Sequence, residues 1–351
     1  MPSEKHVRIK DIADRLGLSM MSVSVALRDM PGVSEKTRKA VKACAAKLGY
    51  RPDPALSALS DYRRRVRPVT SFAQLAFVTD YPVKDDPFWG YTNEFLYGAQ
   101  KRGLEYGYDV VPFWLREGGM TRKQASAVLF NRGIKGLLIA PLPVEDGSLD
   151  DVTWKYFASV AIGPSLASPQ LDHAVFDHHH ATQTVMRELR ARGYRRIGFV
   201  FVLRRSTRLH HAPLDAYLGD QYRAVDALPL RPFLPETLTP EAFWAWFDEQ
   251  KPDVIVADVP LEVPGLLAQR GLKTPGDVGL VCVSSQAVDH PEVASVIQDF
   301  QAIGAAAVDR LHTNLLRNAY GPPEHAHGSH IRGHWREGDT LKKKPRRGRP
   351  V

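Results

Sequence analysis

Apolar residues Ile9, Ile12, Ala13 and Leu16 recur at the spacing of one helical face, with Lys10, Asp11, Asp14 and Arg15 pointing away. Gly17 stops that helix. After Leu18, Ser19 is an N-cap for a second helix to Leu27, with Val23, Ala26 and Leu27 on its inner face. Pro31-Gly32 breaks the chain. Ser34 caps a third helix with Val41, Cys44, Ala45 and Leu48 on its core face, and Gly49 ends it. Two short helices joined by a glycine turn make a helix-turn-helix pattern.

Beyond residue 68 the pattern changes to short apolar runs alternating with helical stretches. Strands are predicted at 72–78, 108–115, 136–140, 160–163, 196–202, 253–257 and 278–283, with a further strand near 330–335. Helices are predicted at 91–106, 121–132, 179–192, 214–227, 261–270 and 303–316. This alternation implies an α/β body of two doubly wound parallel sheets. The expected organisation is a helical head (1–51), a hinge helix or linker (52–67), the body (68–341) and a tail (342–351).

Charge follows the same division. The net charge is +8. Residues 1–67 carry 15 Lys and Arg against 7 Asp and Glu, and residues 342–351 carry six bases and no acid, so the body between them is acidic. Basic ends on an acidic body point to polyanion binding by the ends. No run of about 18 uncharged apolar residues is present, so no membrane span is expected. The N-terminus lacks the apolar core of a signal peptide. Two distant cysteines, Cys44 and Cys282, form no disulfide framework, and a reducing cytoplasm is the expected compartment.

The segment Val7 to Ser19, together with Ser22-Val23-Ser24-Val25-Ala26-Leu27, Val33-Ser34-Glu35-Lys36-Thr37-Arg38 and Leu48-Gly49-Tyr50-Arg51-Pro52, resembles the start of the lactose-repressor/galactose-repressor (LacI/GalR) family of bacterial transcription regulators. The resemblance implies that the helix from Ser19 is the recognition helix in the major groove, with Met20, Met21, Ser24 and Val25 outward. The family often has polar residues at Met20 and Met21 and frequently Arg at Val25. Arg reads guanine bidentately, whereas Met and Val contact a thymine methyl. Ser22, Ser24, Ser34, Thr37 and Arg38 are expected phosphate contacts. The resemblance makes 52–65 a hinge helix that orders against a dimer mate, with Leu59 wedging into the minor groove. Leu56 stands where the family commonly has Ala.

For the body, the resemblance implies a fold like periplasmic sugar-binding proteins, with a ligand between the two halves at the carboxyl ends of strands. The usual polar contacts of sugar-binding members fall here on Pro213, Ala257-Asp258 and Ser284. Only Asp258 keeps its chemistry, so an ordinary hexose is not the expected effector. The candidate cleft residues are Thr79, Asp80, Phe88, Trp89, Trp114, Asp258, Ser284 and Gln298, with His210 and His211 in place of the missing Arg.

His178-His179-His180 reads as a helix start capped by Asp177 rather than a metal site. His325, His327, His330 and His334 complete no ligand spacing, and no metal or other cofactor is expected. No phosphate loop, HExxH pair or Gly-x-Ser-x-Gly elbow occurs, so no enzymatic activity is indicated. The tail reads as non-specific phosphate contact, although Arg347-Gly348-Arg349-Pro350 resembles an AT-hook core. The reading is a homodimeric regulator, a repressor, on a pseudo-palindromic duplex under small-molecule control. The alternative is an architectural DNA-binding protein whose body only dimerises. Leu59→Ala is expected to weaken operator binding and reduce duplex bending while sparing random-sequence binding. Paired mobility-shift titrations check this, and equal losses on both duplexes would count against a wedge.

Overall fold

The computed structural model describes residues 7, 9–27, 32–50, 73–81, 89–144, 146–225, 228–258, 262–285 and 290–343, without the side chains at 21, 24, 89–91 and 285. The expected hinge with Leu59, together with Phe88 and residues 344–351, lies outside the described residues.

The head consists of α1 (Ile9–Leu16), α2 (Met20–Leu27) and α3 (Glu35–Leu48). Ile12, Val23, Ala26 and Val41 are fully buried between them, with Ala13 and Ala45. The predicted faces are the packed ones. Gly17 adopts φ +63° at the end of α1. Ser19 Oγ accepts from the Ser22 amide at 3.0 Å, and Ser34 Oγ accepts from the Thr37 amide at 3.2 Å. Gly49, at φ 69°, closes α3 by donating to the carbonyls of Ala45 and Ala46.

The body begins with β1 (Ala73–Thr79), α4 (Trp89–Tyr106), β2 (Tyr108–Trp114), α5 (Arg122–Asn131) and β3 (Gly136–Ile139). The short β4 (Gly147–Ser148), β5 (Ala158–Ile162), β6 (Leu166–Ser168) and β7 (Asp172–Phe176) follow. Next come α6 (His178–Ala191), β8 (Ile197–Val200), α7 (Leu203–Arg208), α8 (Ala212–Arg223), α9 (Pro240–Gln250), β9 (Val254–Ala257) and α10 (Val263–Gln269). The chain then forms β10 (Gly279–Ser285), β11 (Ala294–Ile297), α11 (Phe300–Leu316), β12 (Gly328–Ile331) and β13 (His334–Arg336).

Two sheets result. The first has the order β12-β7-β5-β3-β1-β2 and is parallel throughout. The second is β13-β11-β10-β9-β8, parallel except for the antiparallel edge β13, and Phe233 adds a one-residue bridge beyond β8. Alternate strand residues serve opposite faces. Phe77, Leu138 and Val160 pack against α4 and α11, while Ala76, Val78 and Ile139 pack towards Ala125 and Leu129 of α5. In the second sheet, Phe199, Val256 and Val281 meet α6, while Ile255 and Leu280 meet the aromatic α9 and α10.

The chain passes between the sheets three times: from β7 to α6, from β11 to α11, and from β12 to β13. The run predicted as one strand near 330–335 is therefore two strands in different sheets. They part at Arg332-Gly333, where a Cβ on Gly333 would collide with the carbonyl oxygen of Ile297. The last helix likewise returns to the first sheet. Asp172 anchors that return. It is 3% exposed and accepts from Arg310 Nε at 2.7 Å, Asn314 Nδ2 at 2.9 Å and the His327 amide at 2.8 Å. Burial alone would raise its pKa, but these donors outweigh burial and hold the carboxyl below its usual range.

Helices α4 and α11 approach until backbones touch. A Cβ on Gly98 would strike the Gln301 carbonyl oxygen, and one on Gly304 would strike that of Phe95. Gly304→Leu is expected to cost about 3 kcal/mol through overpacking. Gly265→Ala, in α10 where no atom lies within 4 Å of the added methyl, should be neutral or stabilise by about 0.5 kcal/mol. Thermal denaturation of the two variants checks the contrast.

Candidate DNA-binding face and ligand cleft

In the head, the fully buried Val23 and Ala26 fix the roll of α2, and Met20 at its first turn is 58% exposed. Ser19 is exposed, and Ser22 is half-buried with its hydroxyl 2.9 Å from that of Ser19. Val25 is half-buried, and a Cβ on Gly32 would lie 3.9 Å from its Cγ1. Val25 thus lies near the turn leading to α3. The side chains of Met21 and Ser24 lie outside the described set. Ser34 and Thr37 share a hydroxyl contact of 2.8 Å, and Arg38 Nη1 donates to Glu35 Oε1 at 2.8 Å. These three residues therefore sit together over the first turn of α3.

In the body, strand order reverses beside β1 in the first sheet, and in the second the chain passes from β8 to the Phe233 bridge on one side and to β9 on the other. Crevices open at the carboxyl ends of strands at such switch points. Thr79 and Asp80 occupy the first, both buried, with Trp114 half-buried at the end of neighbouring β2. Thr79 Oγ1 accepts from the Tyr81 amide at 3.3 Å. Asp80 is held by two forks. Arg116 donates from Nε (3.0 Å) and Nη2 (2.7 Å), and Arg122 from Nε (3.1 Å) and Nη2 (2.8 Å). Burial pushes the Asp80 pKa up, but the two guanidinium groups prevail and hold it below the usual value.

Asp258 occupies the second switch point, directly after β9, and is 4% exposed. Burial raises its pKa, and the Arg205 guanidinium opposes that rise only in part. Arg205, on α7, forms an ion pair through Nε with Asp258 Oδ2. The Cys282 thiol donates to the Asp258 carbonyl at 2.7 Å and the Ser284 carbonyl at 3.0 Å, and burial pushes its pKa up to about 12. Cys282 is therefore a structural donor rather than a nucleophile. Ser284 Oγ donates to Gln298 Oε1 at 2.7 Å. Between the halves, Arg208 Nη2 donates to the Leu142 carbonyl at 2.8 Å, and His210 Nε2 lies 3.0 Å from the Pro164 carbonyl.

Residues 8–53 match the family model described as bacterial regulatory proteins, lacI family. Residues 74–213 match the periplasmic binding proteins and sugar binding domain of LacI family, and residues 186–341 match the periplasmic binding protein-like domain. The chain belongs to the LacI/GalR family. It is a DNA-binding transcription regulator with a periplasmic-binding-protein-like body. The lactose operon repressor of Escherichia coli (strain K12) is 22% identical over 326 residues, spanning 88% of this chain and 84% of that protein. The Lac repressor dimer bound to operator and the anti-inducer ONPF superposes with a TM-score of 0.55 at 20% identity, over 96% of this chain and 100% of that one. The transcriptional regulator CelR in complex with cellobiose gives 0.56 at 18% identity, over 95% and 100%. These two likenesses are of fold.

Within the LacI/GalR fold, the cleft residues picked from sequence fall into two banks. Thr79, Asp80 and Trp114 line the first sheet's crevice; Asp258, Ser284 and Gln298 stand at the second. Trp89 opens α4, with its side chain outside the described set. The imidazoles of His210 and His211 are both engaged away from Asp258, the latter through a 2.9 Å contact with Ser206 Oγ. The guanidinium that meets Asp258 comes instead from Arg205, and Asp80 depends on Arg116 and Arg122. Sequence reasoning missed all three. The one available signal was the Arg204-Arg205 pair directly after a predicted strand. Among the described residues, no group of three or more His, Cys, Asp or Glu side chains is placed to hold a metal ion, and no helix is long and apolar enough to cross a membrane.

Removing one partner of a buried ion pair strands the other. Arg205 is half-exposed, so solvent screening lowers the cost, and Arg205→Leu is expected to lower stability by about 2 kcal/mol. Asp258→Asn in the same chain should recover most of that loss. Urea unfolding of the two single variants and the double variant measures the coupling. Additive losses would show that pairing is not the source.

Proposed function

We propose that the protein binds a pseudo-palindromic operator as a homodimer and that a small molecule in the cleft controls its affinity, as expected of a repressor. The single observation that carries the DNA half is the roll of α2. Val23 and Ala26 are buried to zero exposure, while Met20 at the same helix start stands out in solvent. A helix that turns its apolar core face inward yet exposes Met at the first turn presents that Met to a partner surface. In this reading, Met20, Met21, Ser24 and Val25 face base edges, while Ser19, Ser22, Ser34, Thr37 and Arg38 set the register on phosphates. Met and Val then favour the thymine methyl in the major groove. Leu59 supplies the hinge wedge.

Support for the ligand half comes from the two switch points, each holding a buried carboxylate matched by arginine. A ligand bridging the two banks would bias how the halves close and, through the hinge, how two heads are spaced. Cellobiose is bound by a structural relative. Here the arginine that serves Asp258 comes from α7, and His211 rather than arginine caps α8. The effector is therefore a small molecule other than an ordinary hexose.

Selection from random duplexes should return a two-fold symmetric site rich in T at the positions under α2. Val25→Arg should shift one position per half-site toward G, by about 1–3 kcal/mol of discrimination. Asymmetric single half-sites would refute the dimer reading, and an unchanged preference in the Val25→Arg variant would place that residue away from the bases.

A further inference from the structure

We infer that the ligand of the cleft is a small-molecule acid, its carboxylate received by the Arg205 guanidinium and the Gln298 side-chain amide. The inference rests on the cleft reading proposed above and names the chemistry of its occupant. Each bank presents its arginine to a ligand and keeps its carboxylate back. In the first, the Asp80 side chain is 3% exposed and that of Arg116 is 50% exposed. In the second, the values are 4% for Asp258 and 52% for Arg205. Both carboxyl oxygens of Asp258 are shut off from solvent. A cationic ligand thus finds both acids covered by guanidinium groups already paired with them.

The second bank is a row across neighbouring strands. Gln298 follows β11, Ser284 lies at the end of β10 and Asp258 follows β9, three strands adjacent in the sheet. Two strand spacings are roughly 10 Å, within the span of one small molecule. Arg205 reaches Asp258 from α7 through Nε, and its two Nη groups make no hydrogen bond among the described residues. Those groups form the free edge of a planar fork, which holds a carboxylate through two parallel hydrogen bonds. The Ser284 hydroxyl donates to Gln298 Oε1 at 2.7 Å. That bond fixes the orientation of the amide and leaves its NH2 group to donate.

The ligand class follows from this imbalance of donors. Among the side chains of the row, the one acceptor left to a ligand is the Ser284 oxygen. A sugar hydroxyl both donates and accepts, so a polyol leaves most of its protons without partners here. A carboxylate carries acceptors alone and a charge that complements the guanidinium. The Ser284 oxygen accommodates a single hydroxyl beside it. A phosphate dianion asks for more positive charge than one free fork, and neighbouring Arg208 is committed to the Leu142 carbonyl at 2.8 Å. Through that bond α7 also touches the first subdomain, so an acid seated on Arg205 acts on an element that links the halves.

Thermal-shift titration of the full chain, in a buffer free of carboxylate and phosphate, tests the assignment. The probes are matched pairs: glucuronate and glucose, gluconate and glucitol, malate and malamide, with glucose 6-phosphate as the phosphate arm. The expected result is a saturable rise in melting temperature with at least one acid and none with its neutral counterpart. Arg205→Gln combined with Asp258→Asn, which strands no buried charge, should abolish that rise. Gln298→Leu should weaken the acid about tenfold. A neutral probe that binds as well as its acid, binding of glucose 6-phosphate alone, or an acid that binds both variants as tightly as the parent chain would overturn the assignment and leave the cleft reading standing. No shift with any probe, charged or neutral, would count against both.

Discussion

Three backbone crossings between two sheets constrain everything else in the body. Neither sheet can be completed from one continuous stretch of chain: the first needs β12 and α11 from beyond residue 299, and the second is edged by β13. The halves can therefore rotate but cannot come apart without unfolding an edge strand. The crossings also fix orientation. β7 ends where α6 begins, β11 ends where α11 begins, and β12 ends where β13 pairs with the end of β11. The carboxyl ends of both sheets are thereby turned toward one another, and that is where the polar side chains gather.

Burying carboxylates at those ends would be unfavourable if they stood alone. The fold handles the two differently. Asp80 receives four hydrogen bonds from two guanidinium groups of its own subdomain and stays ionised. Among the described residues, Asp258 is paired with one half-exposed arginine and is the less settled of the two. An incoming polar group has more to gain at Asp258 than at Asp80, whose acceptors are already filled. In the proposed ligand response, this asymmetry makes the first bank the rigid one and the second the one open to a new partner.

Much of the fold was legible in the sequence because local rules and tertiary packing agree. The head is the clearest case: its caps, stops and inner faces are local signals, and the same residues form its core. The strands at 108–115 and 136–140 were equally plain, as buried apolar runs. What escaped had contrary local signals. β7 opens with Asp172 and His173, which read as loop until the Arg310 and Asn314 partners on a distant helix are known. β11 is only four residues, and α9 is an aromatic run without clear helical periodicity. The site residues divide similarly. Carboxylates at strand ends could be placed by register, but Arg116, Arg122 and Arg205 are surface-like by sequence and acquire meaning only from the buried acids they reach.

The facing carboxyl ends have a consequence for the two basic ends of the chain. The head is attached through the start of β1, at Ala73, on the outer rim of the first sheet. At the other terminus, the Leu280 amide donates to the Thr340 carbonyl at 3.0 Å, and the Lys342 amide donates to Tyr194 Oη at 2.9 Å. Both bonds lie at the amino-end rim of the second sheet, so head and tail are attached at opposite poles of the body. The body thus separates the attachment points of its two cationic segments by the length of both subdomains.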